Sequence, residues 1–216
     1  MKFPVMVSCG YPSYREAGLD WGNLEYNAWK LVKAIKGQPV NGYAEFGNSR
    51  VDGTPGGRNV ARRLVANDAV QKLRNAGLVA PLVAVPSSDH VDFEASFTGH
   101  RIAQAITAVA DDYPTRSVLR FREVMPKAAG EGGTREPSTI AAALDIDDPV
   151  DFEQCILVDD VTTSGGHLRG AARFLRERGI SVIGAYCVAQ TVWTRPAHLF
   201  RIPAAELDSA PAWFEN

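Results

Sequence analysis

The segment CILVDDVTTSGGHLRG, Cys155 to Gly170, constrains the fold more than any other part of the chain. Four consecutive apolar residues, Cys155 to Val158, leave no polar face, so the strand they form needs cover on both sides, as a central strand of a parallel sheet has. Two acids, Asp159 and Asp160, close it. The chain then passes through Thr162, Thr163, Ser164, Gly165 and Gly166 into an amphipathic helix over Gly165 to Arg178. That helix places Leu168, Ala171, Ala172 and Leu175 inward and Arg169, Arg173 and Arg176 outward, and Gly179 stops it. Such a unit predicts an α/β fold, an open and mostly parallel sheet with helices on both faces.

The remaining periodicity agrees. Asn23 to Lys36 reads as a helix with Leu24, Ala28, Leu31, Val32 and Ile35 on one face, stopped by Gly37. Residues 37–57 are dense in Gly, Pro and Asn and read as irregular structure or a short hairpin. Arg58 to Ala76 is helical, with a break expected near Asn67 and Asp68 because Asp68 and Gln71 have capping-box spacing. Leu78 to Val85 reads as a buried strand, and Thr98 as the cap of a helix carrying Ile102, Ala105, Ile106 and Val109. Val118 to Val124 alternates, with Arg120 and Arg122 turned toward water or a ligand. The stretch MPKAAGEGGTRE, residues 125–136, reads as a mobile loop, Ser138 to Leu144 as a short helix and Ser181 to Ala189 as a further strand. One domain is expected over residues 1–216. Its sheet core covers about residues 78–190, and residues 1–77 and 191–216 fold over it as a hood.

Composition limits the partners. With 45% hydrophobic and 22% charged residues, the 216-residue chain is neither a disordered tail nor a low-complexity scaffold. A net charge of -2, from 23 basic and 25 acidic residues, disfavours a strongly cationic nucleic-acid binder, so a charged ligand must be met locally. Cys9, Cys155 and Cys187 form no metal or disulfide pattern and are expected to pack as small apolar residues. No apolar run approaches the roughly 20 residues of a membrane span, and a soluble, cytoplasmic protein is the expectation.

Three features of the 159–166 turn share a chemical meaning. A helix start preceded by small residues presents unpaired N–H groups and partial positive charge to an anion, the hydroxyls of Thr162, Thr163 and Ser164 add donors, and glycines let a phosphate approach. Asp159 and Asp160 would repel that phosphate, so they face sugar hydroxyls or a divalent cation. Phosphate and diol one turn apart describe a ribose 5-phosphate.

The string VDDVTTSGGHL resembles the phosphoribosyl pyrophosphate (PRPP) binding motif of the type I phosphoribosyltransferases. The resemblance implies that Asp159 and Asp160 face the ribose hydroxyls and that Thr162 to Gly166 wrap the 5-phosphate. The stretch PKAAGEGG is similar to the flexible catalytic loop of orotate phosphoribosyltransferases. It puts Lys127 in the lysine position, with Gly130, Glu131, Gly132, Gly133 and Arg135 closing over pyrophosphate, and Ala129 where that family has histidine. VAVPSSDH lies where the family holds pyrophosphate. Ser87 and Ser88 would donate to phosphate oxygens there, and Asp89 would reach a metal only through water. The flanks LVKAIKGQPV and FTGHRIAQAI also resemble ComF-like members of the superfamily, without their zinc ribbon.

The resemblance implies Mg2+ held through the substrate and a small-molecule acceptor such as a nucleobase, with no membrane partner. A homodimer stays open, since related enzymes often dimerise. The expected reaction is phosphoribosyl transfer to nitrogen. The alternatives are a PRPP or nucleotide sensor without turnover, which Ala129 favours, and a ComF-like accessory protein of DNA uptake. The four histidines show no metal spacing, and His167 is expected to hydrogen-bond a neighbour. Trp193 could stack on a base, although an aromatic just past a strand is usually packing, and Arg58, Arg62, Arg63 and Arg74 are expected to form a solvated helix face.

Overall fold

A computed structural model describes residues 2–14, 18, 20–126, 136–147 and 149–208. Its centre is β8 (Gln154–Thr162), whose residues alternate between two apolar clusters. Ile156 and Val158 belong to one cluster, and Cys155 and Leu157 to the other. The first is covered by α1 (Asn23–Ile35), α2 (Pro55–Asn75) and α3 (Thr98–Thr107). The second is covered by α4 (Pro137–Ala143), α5 (Gly166–Arg176) and a two-stranded ribbon, β6 (Leu119–Phe121) with β7 (Leu144–Ile146). The four-residue apolar run is thus covered on both faces.

The sheet has six strands, counting β1 (Lys2–Pro12), β4 (Leu82–Ala84), β5 (Thr115–Arg116), β9 (Ser181–Val192) and β10 (Ala205–Asp208) with β8, in the order β10-β1-β9-β8-β4-β5. Only β10 runs antiparallel to its neighbour. Five helices accompany it among the described residues.

The sheet is wider than residues 78–190. Residues 2–12, expected in the hood, form a strand inside it, parallel to β9 on one side and paired with β10 on the other. Pro4 sits near the start of β1, opposite Glu206 of the short strand β10, a position where a missing N–H donor is tolerated. The C-terminal segment also returns to the sheet through β10. Before that it is tied to α1 by the ion pair of Arg195 with Glu25 at 2.9 Å.

Local expectations were corrected by tertiary contacts. The hairpin expected within residues 37–57 is β2 (Ala44–Phe46) with β3 (Ser49–Val51). α2 runs unbroken through Asn67 and Asp68 and is capped instead by Thr54, whose hydroxyl accepts the Gly57 N–H at 3.0 Å. Asp68 faces the sheet, where it accepts from Ser8 Oγ at 2.5 Å and pairs with Lys72 at 2.7 Å. Leu78 still belongs to the end of α2, with its N–H bonded to the Leu73 carbonyl past a left-handed Gly77, so β4 starts later than expected. Thr98 does not cap α3; its hydroxyl accepts from Arg101 at 3.1 Å, and Phe97 occupies the cap position. Arg120 meets Asp145 across the ribbon at 2.8 Å and stacks on Phe93 at 4.3 Å. The three cysteines are buried and free. Among the described residues no helix is long and apolar enough to cross a membrane.

The Asp68 network also joins Ser8 to Tyr186, whose hydroxyl bonds the Val65 carbonyl at 3.1 Å, and Lys72 to the Val7 carbonyl at 2.7 Å. Removing the carboxylate leaves buried donors without their acceptor, so Asp68→Ala is expected to lower the unfolding free energy by about 1–3 kcal/mol. Urea unfolding checks it, and an unshifted midpoint would show that the network does not tie α2 to β1.

Candidate functional site

Neighbouring strands β8 and β4 send their chains to opposite faces of the sheet. β4 leads to α3, which packs in the first cluster, and β8 leads to α5, which packs in the second. Where connections diverge in this way, the carboxyl ends of the strands open into a crevice, the usual ligand position of an open α/β sheet. A cleft of about 940 Å³ lies there.

Its floor is the end of β8. Asp159 and Asp160 both line the cleft and are half-buried, but their surroundings differ. Asp160 pairs with Lys36, the residue that ends α1, at 3.1 Å. Asp159 has no cation in contact among the described residues and accepts the Asp160 backbone N–H at 2.7 Å. Burial, reinforced by the neighbouring Asp160 carboxylate, pushes Asp159 up to about 8 from the ordinary 3.8. At neutral pH Asp159 is therefore able to donate as well as accept a hydrogen bond, while Asp160 is engaged by Lys36.

Beyond the acids the turn is built for close approach. Gly165, at the cap position of α5, has a φ of 76°, and a Cβ there would lie 2.5 Å from Leu207 Cδ1. Glycine is required by backbone conformation and by space. Among the described residues no side chain caps α5, and the residues of its first turn line the cleft. Thr163 shares a hydrogen bond with Thr191 of β9 at 3.0 Å, which fixes the turn to the next strand. The Thr162 and Ser164 hydroxyls have no partner among the described residues, and both residues line the cleft.

The second loop arrives from β4. Ser87, Ser88 and Asp89 line the same cleft as the 159–166 turn. Ser87 Oγ donates to Asp89 Oδ1 at 2.8 Å, and the Ser88 carbonyl accepts the Met125 N–H at 2.7 Å. Residues 71 positions apart in sequence, Ser88 and Asp159, are thereby brought to one crevice by the parallel pairing of β4 with β8. Lys127, Gly130, Glu131, Gly132, Gly133 and Arg135 lie outside the described residues.

Several cleft residues were not singled out from sequence or were assigned elsewhere. Lys36 and Arg101 come from α1 and α3, and Tyr11 and Ser13 from the end of β1. Trp193 does not pack in the core; it is 61% exposed and lines the cleft beside Thr191. With that exposure its ring is open to a stacking partner, the alternative to packing. His167 lies in the first turn of α5, 6.2 Å from the Phe121 ring and without a hydrogen-bond partner among the described residues, and burial lowers its pKa. Among the described residues no three His, Cys, Asp or Glu side chains converge as a metal cage.

A scan against models of known protein families finds no match, and a search of curated proteins finds no similar sequence.

The raised pKa of Asp159 has a consequence for stability. In the unfolded chain it ionises near its ordinary value, so folding takes up a proton between about pH 4 and pH 8. The stability it contributes is full below the unfolded pKa and is lost as pH rises through the folded one. Thermal melts at pH 5, 6, 7 and 8 are expected to show this decline, and Asp159→Asn should flatten it. An identical slope in the variant would show that Asp159 is ionised throughout.

Proposed function

We propose that this protein transfers a 5-phosphoribosyl group from PRPP to a nitrogen nucleophile, a nucleobase or similar small molecule, and releases pyrophosphate. The observation that carries the reading is the convergence of three unlike surfaces in one cleft. An acid pair suited to ribose hydroxyls, an uncapped glycine–hydroxyl turn suited to a 5-phosphate and a serine loop suited to further phosphate oxygens meet at the end of adjacent strands.

In the proposed reaction the C1′–O bond to pyrophosphate breaks, a C1′–N bond forms, and the acceptor N–H proton passes to water. Little covalent chemistry is asked of the side chains. Their work is to hold donor and acceptor in line and to stabilise charge on the leaving group. Asp160, paired with Lys36, would accept from a ribose hydroxyl, and Asp159 would exchange a hydrogen bond with the other.

The carboxylates offer hard oxygen donors, but Asp160 is already paired with Lys36 and Asp159 holds its proton. That donor set fits Mg2+ held mainly by substrate oxygens, with Asp159, Asp160 and Asp89 around it, better than an all-protein cage. When bound, Mg2+ would neutralise charge on the diphosphate.

Trp193 offers the acceptor a flat, exposed face. Ala129 in the loop supports a second reading, a PRPP sensor without turnover.

Pyrophosphate release from PRPP and Mg2+, measured across purines, pyrimidines and small amines, separates the two. The transferase reading predicts release with at least one acceptor, and PRPP binding without release in every case favours the sensor. With a working acceptor, Asp160→Asn is expected to reduce turnover at least tenfold, about 1.4 kcal/mol in the barrier; unchanged turnover would remove the acid pair from the mechanism. Trp193→Ala should raise the acceptor KM several-fold while the KM for PRPP holds, and the reverse pattern would place Trp193 on the donor side.

A further inference from the structure

The helix wall of the cleft carries more positive charge than its protein partners neutralise. Arg101, on the first turns of α3, lines the cleft and, among the described residues, gives its donors to neutral acceptors only, the Ser96 carbonyl at 3.3 Å and Thr98 Oγ1 at 3.1 Å. These bonds orient the guanidinium without offsetting its charge. Arg62 of α2 is its nearest cationic influence. Burial first, and then Arg62, hold the Arg101 pKa below its usual value, while Asp160 opposes them.

Arg62 itself has one side-chain bond, to Asn59 Oδ1 at 2.9 Å, and its Nε is buried without a partner. Arg58, one turn earlier on α2, also has a buried Nε without a partner. Neither matches the solvated face expected of this helix, and neither has a carboxylate partner among the described residues. By contrast, Arg74 further along α2 meets Asp112 at 3.1 Å.

Asp160, the carboxylate that acts on Arg101, is already engaged by Lys36 at 3.1 Å. Lys36 and Arg101 thus line the cleft beside one paired acid, and Arg62 adds its charge to that of Arg101 from α2. Half-buried cations left in this state are stabilised by an incoming anion, and planar guanidinium groups suit phosphate oxygens in particular.

We propose that Arg101, backed by Arg62, forms a second anion site in the cleft, separate from the glycine–hydroxyl turn, which takes a diphosphate or other multiply charged phosphate group. Two sources would supply that chemistry. One is the diphosphate of PRPP, in which case the site deepens the transferase reading and Arg101 is a catalytic residue that stabilises the leaving group from the rigid wall. The other is a separate phosphorylated molecule bound together with PRPP.

Calorimetric titration of the full-length protein with inorganic pyrophosphate, with and without Mg2+, tests the site directly. Arg101→Ala is expected to weaken binding at least tenfold, Arg101→Lys to recover part of the loss, and Arg62→Gln to weaken it several-fold, each in protein whose thermal melt shows it folded. If Arg101→Ala melts early, Arg101→Gln replaces it. Equal affinity in wild type and Arg101 variants, or no binding by the wild type, would overturn the proposal.

Repeating the titration with PRPP and Mg2+ at saturation identifies the source. Lost binding assigns the site to the donor's own diphosphate, and retained, Arg101-dependent binding assigns it to a separate phosphorylated molecule. Failure of pyrophosphate release across the acceptor panel with Arg101-dependent binding intact would sink the transferase reading and leave this site standing. Release with Arg101-independent binding would do the opposite.

Discussion

Burial of β8 on both faces is the constraint on which the rest of this structure depends. Cys155 to Val158 offer nothing to water, so helices must lie above and below them, and the chain leaving β8 must pass to one face while the chain leaving its neighbour β4 passes to the other. The cleft follows from that divergence. It is also why two acids can sit at the end of an apolar strand: the divergence opens the sheet to solvent where Asp159 and Asp160 stand.

The two acids illustrate how position sets chemistry for identical side chains. Adjacent in sequence, they separate in character because Lys36 forms an ion pair with one and not with the other. Burial beside the Asp160 carboxylate pushes Asp159 up to about 8. The result is an acceptor next to a donor–acceptor, a pair suited to two hydroxyls. The small overall charge of -2 does not record that Lys36 and Arg101 line the cleft beside this pair.

Much of the architecture was legible in the chain. The strand–turn–helix at 155–178, the helix ending at Gly37 and the strand from Ser181 all rest on local periodicity and glycine stops, which need no partner to be read. Less legible were elements whose local signals pointed elsewhere. Pro4 hid β1, which is held by pairing to β9 and β10 rather than by its own propensity. Asp68 looked like a helix cap and is instead an inward-facing acceptor for Ser8. Trp193 had the sequence position of a packing residue, and its exposure depends on how the C-terminal segment leaves β9 for the sheet edge.

For the site, the sequence by itself determined the parts that lie in continuous strings: the acid pair, the hydroxyl–glycine turn and the serine loop after β4. Each is a continuous run whose residue types and spacing can be read without a distant partner. Only the tertiary structure decided that these strings share one cleft, that Lys36 pairs with Asp160, and that Arg101 reaches the cleft from α3. Those facts depend on which strand lies beside which and on the side of the sheet each helix covers. Lys36 and Asp160 are 124 positions apart, and no local pattern records a contact made at that separation.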